Sequence, residues 1–278
     1  MNKIINTSNL TIGSDPEFFI VQKDGSAYPS THLLKGTKSA PEDQGNGYAI
    51  LKDNVLVEGN IPPAKSKEEF VANMKQLKAM INSLLHLRGL ELHNADSMEY
   101  TPEQLEHPEA NEFGCSAYKN GWQLGSFSAE DMSFMPIRVA GFHIHIGYEI
   151  LDKSYPKSFL NIMIARAFDY FVTLPARLHF NDEFRSKYYG NFGVYRDCPY
   201  GLEARSLGGY FTHDKYLDWV YDNTIKAMEF CSIPENIENL QKITTPSFDG
   251  MNTTIANYDI LGVDLQTLLI KETENAVV

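Results

Sequence analysis

Cysteine is scarce in this chain. The 278 residues hold only Cys115, Cys198 and Cys231, odd in number, far apart and with no CxxC pair. That excludes a disulfide scaffold and a thiolate zinc site, and it predicts a reducing, cytoplasmic setting. Long apolar runs are missing as well. No stretch approaches the roughly 18 residues that a membrane-spanning helix needs. The opening MNKIINTSNLTIGSDPEFF lacks the apolar centre of a secretory leader. Positive charge is outweighed: 24 Lys and Arg stand against 36 Asp and Glu, for a formal charge of −12. Cations supply most of the affinity for a phosphate backbone or an anionic bilayer, so neither nucleic acid nor membrane is expected as a partner. A small anion in a locally basic pocket stays open. A P-loop is excluded, because GTKS at 36–39 lacks the earlier glycine of GxxxxGK[ST]. There is no internal repeat and no low-complexity tract.

What remains is a globular composition, 43% hydrophobic and 12% aromatic, enough for a sizeable core. SKEEFVANMKQLKAMINSLLHLRG predicts the clearest helix. Ser66 caps it with Glu69 three residues on, Gly89 ends it, and Phe70, Met74, Leu77, Ile81, Leu84 and Leu85 form its apolar stripe. A second helix is predicted over SYPKSFLNIMIARAFDYFVTLPARLHF, ending near Pro175, and a third over HDKYLDWVYDNTIKAMEF. FFIVQ, NVLVEGN and IRVAGFHIHIGYEI read as strands, and YYGNFGVYRDCPYGLEARSLGGYF as a strand pair around a turn. THLLKGTKSAPEDQGNGY reads as loop, residues 101–136 look irregular, and the tail after Cys231 is polar and poorly periodic. Strands and helices do not alternate strictly, which favours an α+β fold with an antiparallel or mixed sheet.

Within GFHIHIG, His143 and His145 are two apart, so they share one face of a strand while Phe142, Ile144 and Ile146 share the other. The same spacing recurs in Asp15 and Glu17, in Glu58 and Asn60, and in Glu203 and Arg205. Taken singly, each pair is explained by a satisfied core histidine pair or by the wet face of a half-exposed strand. Four such pairs on four strand-like segments build a pocket of carboxylates, imidazoles and arginines if one sheet brings their faces together. Carboxylates with one imidazole suit Mg²⁺ or Mn²⁺. Arg196 and Arg205 suit bidentate recognition of phosphate or carboxylate. Cations and arginines around one pocket suit phosphoryl transfer.

The order GSDPEFF, DNVLVEGNIPP, GFHIHIG, YRDCPYGLEARSLGG resembles the glutamine synthetase and glutamate–cysteine ligase superfamily. Within it the chain most resembles the phage-encoded carboxylate–amine ligases, the type 2 amidoligases, and EHPEANEFGCSAY is also similar to that family. The likeness runs from about residue 10 to about residue 215. It implies a curved, mainly antiparallel sheet of the glutamine synthetase catalytic-domain type, with helices on its convex face and ATP and metal ions on its concave face. It implies a ligase that forms an amide or peptide bond through an acyl phosphate, with small-molecule or peptide carboxylates and amines as partners. Carried over by motif, Glu17, Glu58 and Glu203 are implied metal ligands for Mg²⁺ or Mn²⁺, joined by Asp15 and His143. Arg196, Arg205 and His143 are implied catalytic residues; Arg196, Arg205 and His145 are implied contacts to ATP. Outside the motifs, Lys38 in LKGTKSAP can also reach a phosphate of ATP, although a solvated loop lysine is its commoner role. The first motif reads Asp-Pro-Glu where many relatives carry two glutamates. On this likeness residues 1–231 form the catalytic domain and residues 232–278 an extension.

Two other classes compete. HxH is also a zinc motif, so a metal-dependent hydrolase such as an amidase is an alternative, although His179 and His213 are poorly placed to complete it. A non-catalytic binding protein of the same fold is the other. Cys115 lies near His107, but no third group orients it as a nucleophile. Trp122 and the tyrosines of KYYGNFGVY can stack on adenine, though core packing is their commoner use.

Overall fold

A computed structural model describes residues 3–111, 117–127 and 135–271. In chain order these form β1 (Thr11–Gln22), β2 (Glu42–Gly45), β3 (Tyr48–Asp53), β4 (Leu56–Asn60), α1 (Lys67–His86), β5 (Leu90–His93), β6 (Ser97–Glu99), β7 (Tyr118–Asn120), β8 (Gly125–Phe127), β9 (Ile137–Val139) and β10 (Phe142–Gly147). They continue with α2 (Lys157–Phe168), a π-helical turn (Asp169–Thr173), α3 (Leu174–His179), α4 (Glu183–Tyr188), β11 (Val194–Cys198), β12 (Gly201–Ala204), α5 (Asp214–Cys231), α6 (Pro234–Lys242) and α7 (Met251–Leu261). The main sheet runs β2-β3-β4-β1-β10-β12-β11-β7-β8, with β5 added along β1, and β6 and β9 form a separate ribbon. Every pairing within these strands is antiparallel. The result is the α+β architecture expected from the sequence, a large antiparallel sheet with helices.

β1 organises the sheet. Its first half pairs with β10, its middle with β4 and its last four residues with β5. Alternation along the strands separates two faces. Ile12, Phe18 and Ile20 of β1, Phe142, Ile144 and Ile146 of β10, and Leu202 and Ala204 of β12 enter one core with Phe70, Met74, Leu77 and Ile81 of α1 and with the apolar sides of α2 and α5. Burying each large side chain there contributes roughly 1.5–3 kcal/mol. α1 packs closely on β4 at Gly59, where a Cβ would stand 2.7 Å from Leu77 Cδ1.

The helices follow their sequence signals with two exceptions. Ser66 Oγ accepts from the Glu69 N–H at 3.2 Å, and Glu69 Oε2 accepts in return from the Lys65 N–H at 2.7 Å. Leu84 leaves the stripe and is exposed; Phe70, Met74, Leu77, Ile81 and Leu85 are the buried set. Pro175 does not end the second helix. The chain passes through the π turn and resumes as α3, with Pro175 in its first turn. The stretch read as irregular contributes the β7–β8 hairpin to the sheet. After Cys231 the chain forms α6 and α7: Ile237 and Leu240 are buried, and the Tyr258 hydroxyl donates to the Tyr170 carbonyl at 2.5 Å. One i,i+3 apolar pair is too short a pattern to stand out in a sequence. Among the described residues no helix is long and apolar enough to cross a membrane.

Candidate active site

The face opposite the main core carries the polar pairs, and register brings them together. Glu17 lies opposite Glu58, Asp15 opposite His143, and His145 opposite Glu203, which in turn faces Arg196. Side chains opposite one another on adjacent strands are near neighbours. Four i,i+2 pairs therefore become one polar band across β4, β1, β10, β12 and β11. Glu17 is anchored from behind: the Gly141 N–H donates to Glu17 Oε2 at 2.6 Å.

The acids form two groups. Glu17, Glu58 and Asp53 each bring a carboxylate oxygen within 4.8 Å of the others, and Asp15, His145 and Glu203 do the same with two oxygens and one imidazole nitrogen. Asp53 opens the DNVLVEGNIPP stretch but belongs to no i,i+2 polar pair. It closes β3 just before the hairpin turn, and the turn delivers it to Glu58. Lys38, from the preceding loop, lies 2.6 Å from Asp53 Oδ2. Burial raises the Glu58 carboxyl well above its ordinary value, and the charges of Asp15, Asp53 and Glu17 raise it further. Burial and Glu17 also push Asp53 up against the pull of Lys38. Burial disfavours the Lys38 ammonium, but Asp53, Glu17 and Glu58 overcome this and hold its proton more tightly. Burial alone would raise Asp15 too; the neighbouring imidazoles reverse it and hold that carboxyl far below its usual range.

Guanidinium groups and hydroxyls close the second group. Arg205 is buried, and its two terminal nitrogens divide: one binds Glu203 Oε1 and the other donates to the Tyr189 hydroxyl at 2.5 Å. Arg196 reaches the same Glu203 oxygen at 3.4 Å. His143 Nε2 lies 3.2 Å from the Tyr189 hydroxyl, and His145 Nδ1 is bonded to the Tyr200 hydroxyl. Burial disfavours an imidazolium at His145, and Asp15 and Glu203 outweigh it, so its pKa rises. Neither tyrosine lies on a strand, so period-2 reading of the sequence missed both. Tyr189 belongs to the tyrosine-rich run, and Tyr200 sits in the β11–β12 turn.

The residues fit a divalent cation. Asp15 Oδ1 is 3.2 Å from His143 Nδ1 and 2.9 Å from His145 Nε2. Neither contact is aligned as a hydrogen bond, so Asp15 Oδ1 and His145 Nε2 are buried without a hydrogen-bond partner among the described residues. Buried polar atoms in that condition are costly unless something coordinates them. The donor set, five carboxylates and one imidazole in two adjoining groups, is hard and oxygen-rich, as Mg²⁺ and Mn²⁺ prefer. Beside Asp15 and His145 opens a pocket of about 360 Å³, lined also by Gly13, Asn60, Ile61, Pro63 and Tyr200.

Other residues singled out in the sequence lie elsewhere. Trp122 donates from Nε1 to Asp169 Oδ2 at 2.6 Å, and the Arg166 guanidinium sits 4.8 Å from its ring. His179 Nε2 meets the Tyr216 hydroxyl at 2.9 Å, and His213 Nδ1 accepts from Asn94 Nδ2 at 3.1 Å. His107 packs edge-on against His32. Cys115 lies outside the described residues.

No family model matches the chain, and no curated protein matches it. Solved structures do. A GmaS/ADP complex in its conformation 1 is 15% identical over 93% of this chain, with a TM-score of 0.40. GmaS without ligand is 14% identical over 96% of the chain, with a TM-score of 0.39. A novel glutamine synthase homolog is 11% identical over 93%, with a TM-score of 0.37. The chain spans 64%, 67% and 63% of the lengths of these three. Likeness at this level assigns neither substrate nor activity.

Proposed function

We propose that the protein is an ATP-dependent ligase that joins a carboxylate to an amine, using Mg²⁺ or Mn²⁺. The observation that carries the reading is the polar band itself: two adjoining acidic groups with Arg196 and Arg205 beside them, on one face of an antiparallel sheet. Glu17, Asp53 and Glu58 would hold one cation, and Asp15, Glu203 and His145 a second. Bound there, the cations neutralise charge on a transferring phosphoryl group.

The chain's own residues supply the rest. The pocket beside Asp15 and His145 receives the nucleotide, with its phosphates toward the acidic groups. Arg196 and Arg205 orient the phosphate oxygens and offset the charge that builds as the γ-phosphoryl moves. Lys38 adds a further cation at the Glu17–Asp53–Glu58 end. The substrate carboxylate oxygen bonds to the γ-phosphorus as the bond to ADP breaks. The amine nitrogen then bonds to the acyl carbon, phosphate leaves, and the amine proton passes to solvent or a neighbouring carboxylate. The reaction needs the carboxylate and the amine together.

ADP release tests this, with Mg²⁺ and ATP supplied against pools of amino acids, amines and short peptides, beside a Glu203→Gln control. Turnover that requires one carboxylate–amine pair and disappears in the control supports the ligase. Amide hydrolysis without ATP would replace it by the metal hydrolase. Absence of both ATP and metal binding would leave the non-catalytic binding protein.

A further inference from the structure

β4 gives the polar band two residues, Glu58 and Asn60, and only the second is uncharged. At Gly59, between them, the side-chain direction points at α1, where a Cβ would stand 2.7 Å from Leu77 Cδ1. Glu58 and Asn60 therefore face the other way. The Ile61 N–H donates to the Ser14 carbonyl at 3.1 Å, which carries the β1–β4 pairing on beyond Glu17 and Glu58 and sets Asn60 across from Asp15. Asn60 lines the pocket of about 360 Å³ beside Asp15, and its Oδ1 is buried without a hydrogen-bond partner among the described residues. An acceptor in that state costs free energy until a donor reaches it. There is room for one. Gly13, two residues before Asp15 and opposite His145, lines the same pocket, and a Cβ there would meet nothing closer than 3.6 Å.

A nucleotide has few donors to offer. Ionised phosphates only accept; the N–H groups are on the base and the O–H groups on the ribose. Asn60 stands about 7 Å along its strand from Glu58 and about 5 Å across from Asp15. With the phosphates at the acidic groups, that is the depth of the sugar, and the base edge lies beyond it. We propose that Asn60 determines the sugar specificity of the nucleotide site, its Oδ1 accepting from a ribose hydroxyl, so that the protein takes ribonucleotides over their deoxy forms. The inference rests on the reading of this pocket as the nucleotide site. An amide carries no charge, so it meets the sugar beside the phosphates without the repulsion that a carboxylate would bring there.

The test is calorimetry on the full chain with Mg²⁺ and ATP, 2′-deoxy-ATP or 3′-deoxy-ATP, with no carboxylate or amine substrate present. At least one deoxy form should bind about tenfold or more weakly than ATP, the scale set by leaving a buried acceptor unpaired. Asn60→Ala should weaken ATP binding to the level of that deoxy form and abolish the discrimination, with Mg²⁺ binding in the absence of nucleotide unchanged. Wild-type protein that binds all three alike overturns the proposal without needing the variant to fold. So does an Asn60→Ala protein that still discriminates, and so does one that loses Mg²⁺ binding, which would make Oδ1 a cation ligand instead. Absence of nucleotide binding overturns both this proposal and the nucleotide reading. Sugar discrimination beside a silent ligation assay would sink the ligase reading alone and leave the role of Asn60 standing.

Discussion

Glu17 and Glu58 are register partners across β1 and β4, two carboxylates directly opposed on adjacent strands, with Asp53 in the same group. Like charges so placed repel. A divalent cation that binds this group only in the folded state stabilises the protein by mass action. Adding Mg²⁺ or Mn²⁺ to chelator-treated protein should raise the melting temperature on the order of 5 °C near a hundredfold excess over Kd. Glu58→Gln should raise the cation-free melting temperature, because it removes one of the opposed charges, and should weaken the response to cation. Scanning fluorimetry over a cation series checks both. A Glu58→Gln protein with a full cation response would remove Glu58 from the ligand set.

Arg205 is forked between Glu203 and Tyr189, a geometry that an ammonium on a flexible stem does not reproduce. Arg205→Lys keeps the charge beside Glu203, so the fold should survive with a small change in melting temperature. On the ligase reading, turnover should fall about a hundredfold, the scale seen when one preorganised donor to a transition-state oxygen is lost. ADP release and thermal melting on one preparation separate the two effects. Near-normal turnover in Arg205→Lys would mean that the fork does not act on the phosphoryl group.

α1 seats directly on β4, and Gly59 lies between Glu58 and Asn60 on that strand. A methyl at Gly59 meets Leu77 Cδ1 and Cδ2 at 2.7 Å, and Leu77 is fully buried. Gly59→Ala should therefore cost about 1–3 kcal/mol through overpacking. Leu77→Ala alone should cost about 2–5 kcal/mol through a cavity. Because the new methyl fills part of that cavity, the double variant should be more stable than the sum of the two. Denaturant unfolding of the four proteins measures the coupling, and simple additivity would mean that the helix shifts away from the strand.

Much of this site was legible before the structure, and the reason is periodicity. Asp15, Glu17, His143, His145, Glu203 and Arg205 announce themselves because an i,i+2 pair of polar groups in an apolar run marks one face of a strand. Register was not legible: nothing local says that Asp15 meets His143 or that Glu17 meets Glu58. Asp53 was missed because it ends a strand beside a turn, where an acid is unremarkable, and only the β3–β4 hairpin brings it to Glu58. Lys38 was readable as a phosphate contact or a solvated loop lysine, and only the loop's path places it beside Asp53. The π turn was hidden for a different reason. The apolar pattern of α2 runs on through Tyr170, Phe171 and Val172, and one wide turn barely disturbs it.

That turn yields the last prediction. Asp169 opens it, fully buried among the helices, with Oδ2 accepting from Trp122 Nε1 at 2.6 Å and Oδ1 lacking a hydrogen-bond partner among the described residues. Burial raises its pKa from 3.8 to about 7, against the pull of Trp122 and Arg177. The native state therefore holds this proton more tightly than the unfolded chain does. The stability tied to it is fully present below the unfolded value and is lost as pH rises through about 7. Over that window the loss is on the order of 3–4 kcal/mol. Asp169→Asn keeps an acceptor for Trp122 and cannot titrate. Whatever its stability relative to wild type at pH 4, the comparison should move in the variant's favour by about that amount by pH 8. Urea unfolding of both proteins at matched pH isolates Asp169, since the other buried carboxyls are common to the two and cancel. Parallel stability curves from pH 4 to 8 would show that Asp169 is ionised in the native state throughout, with a partner that stabilises its charge.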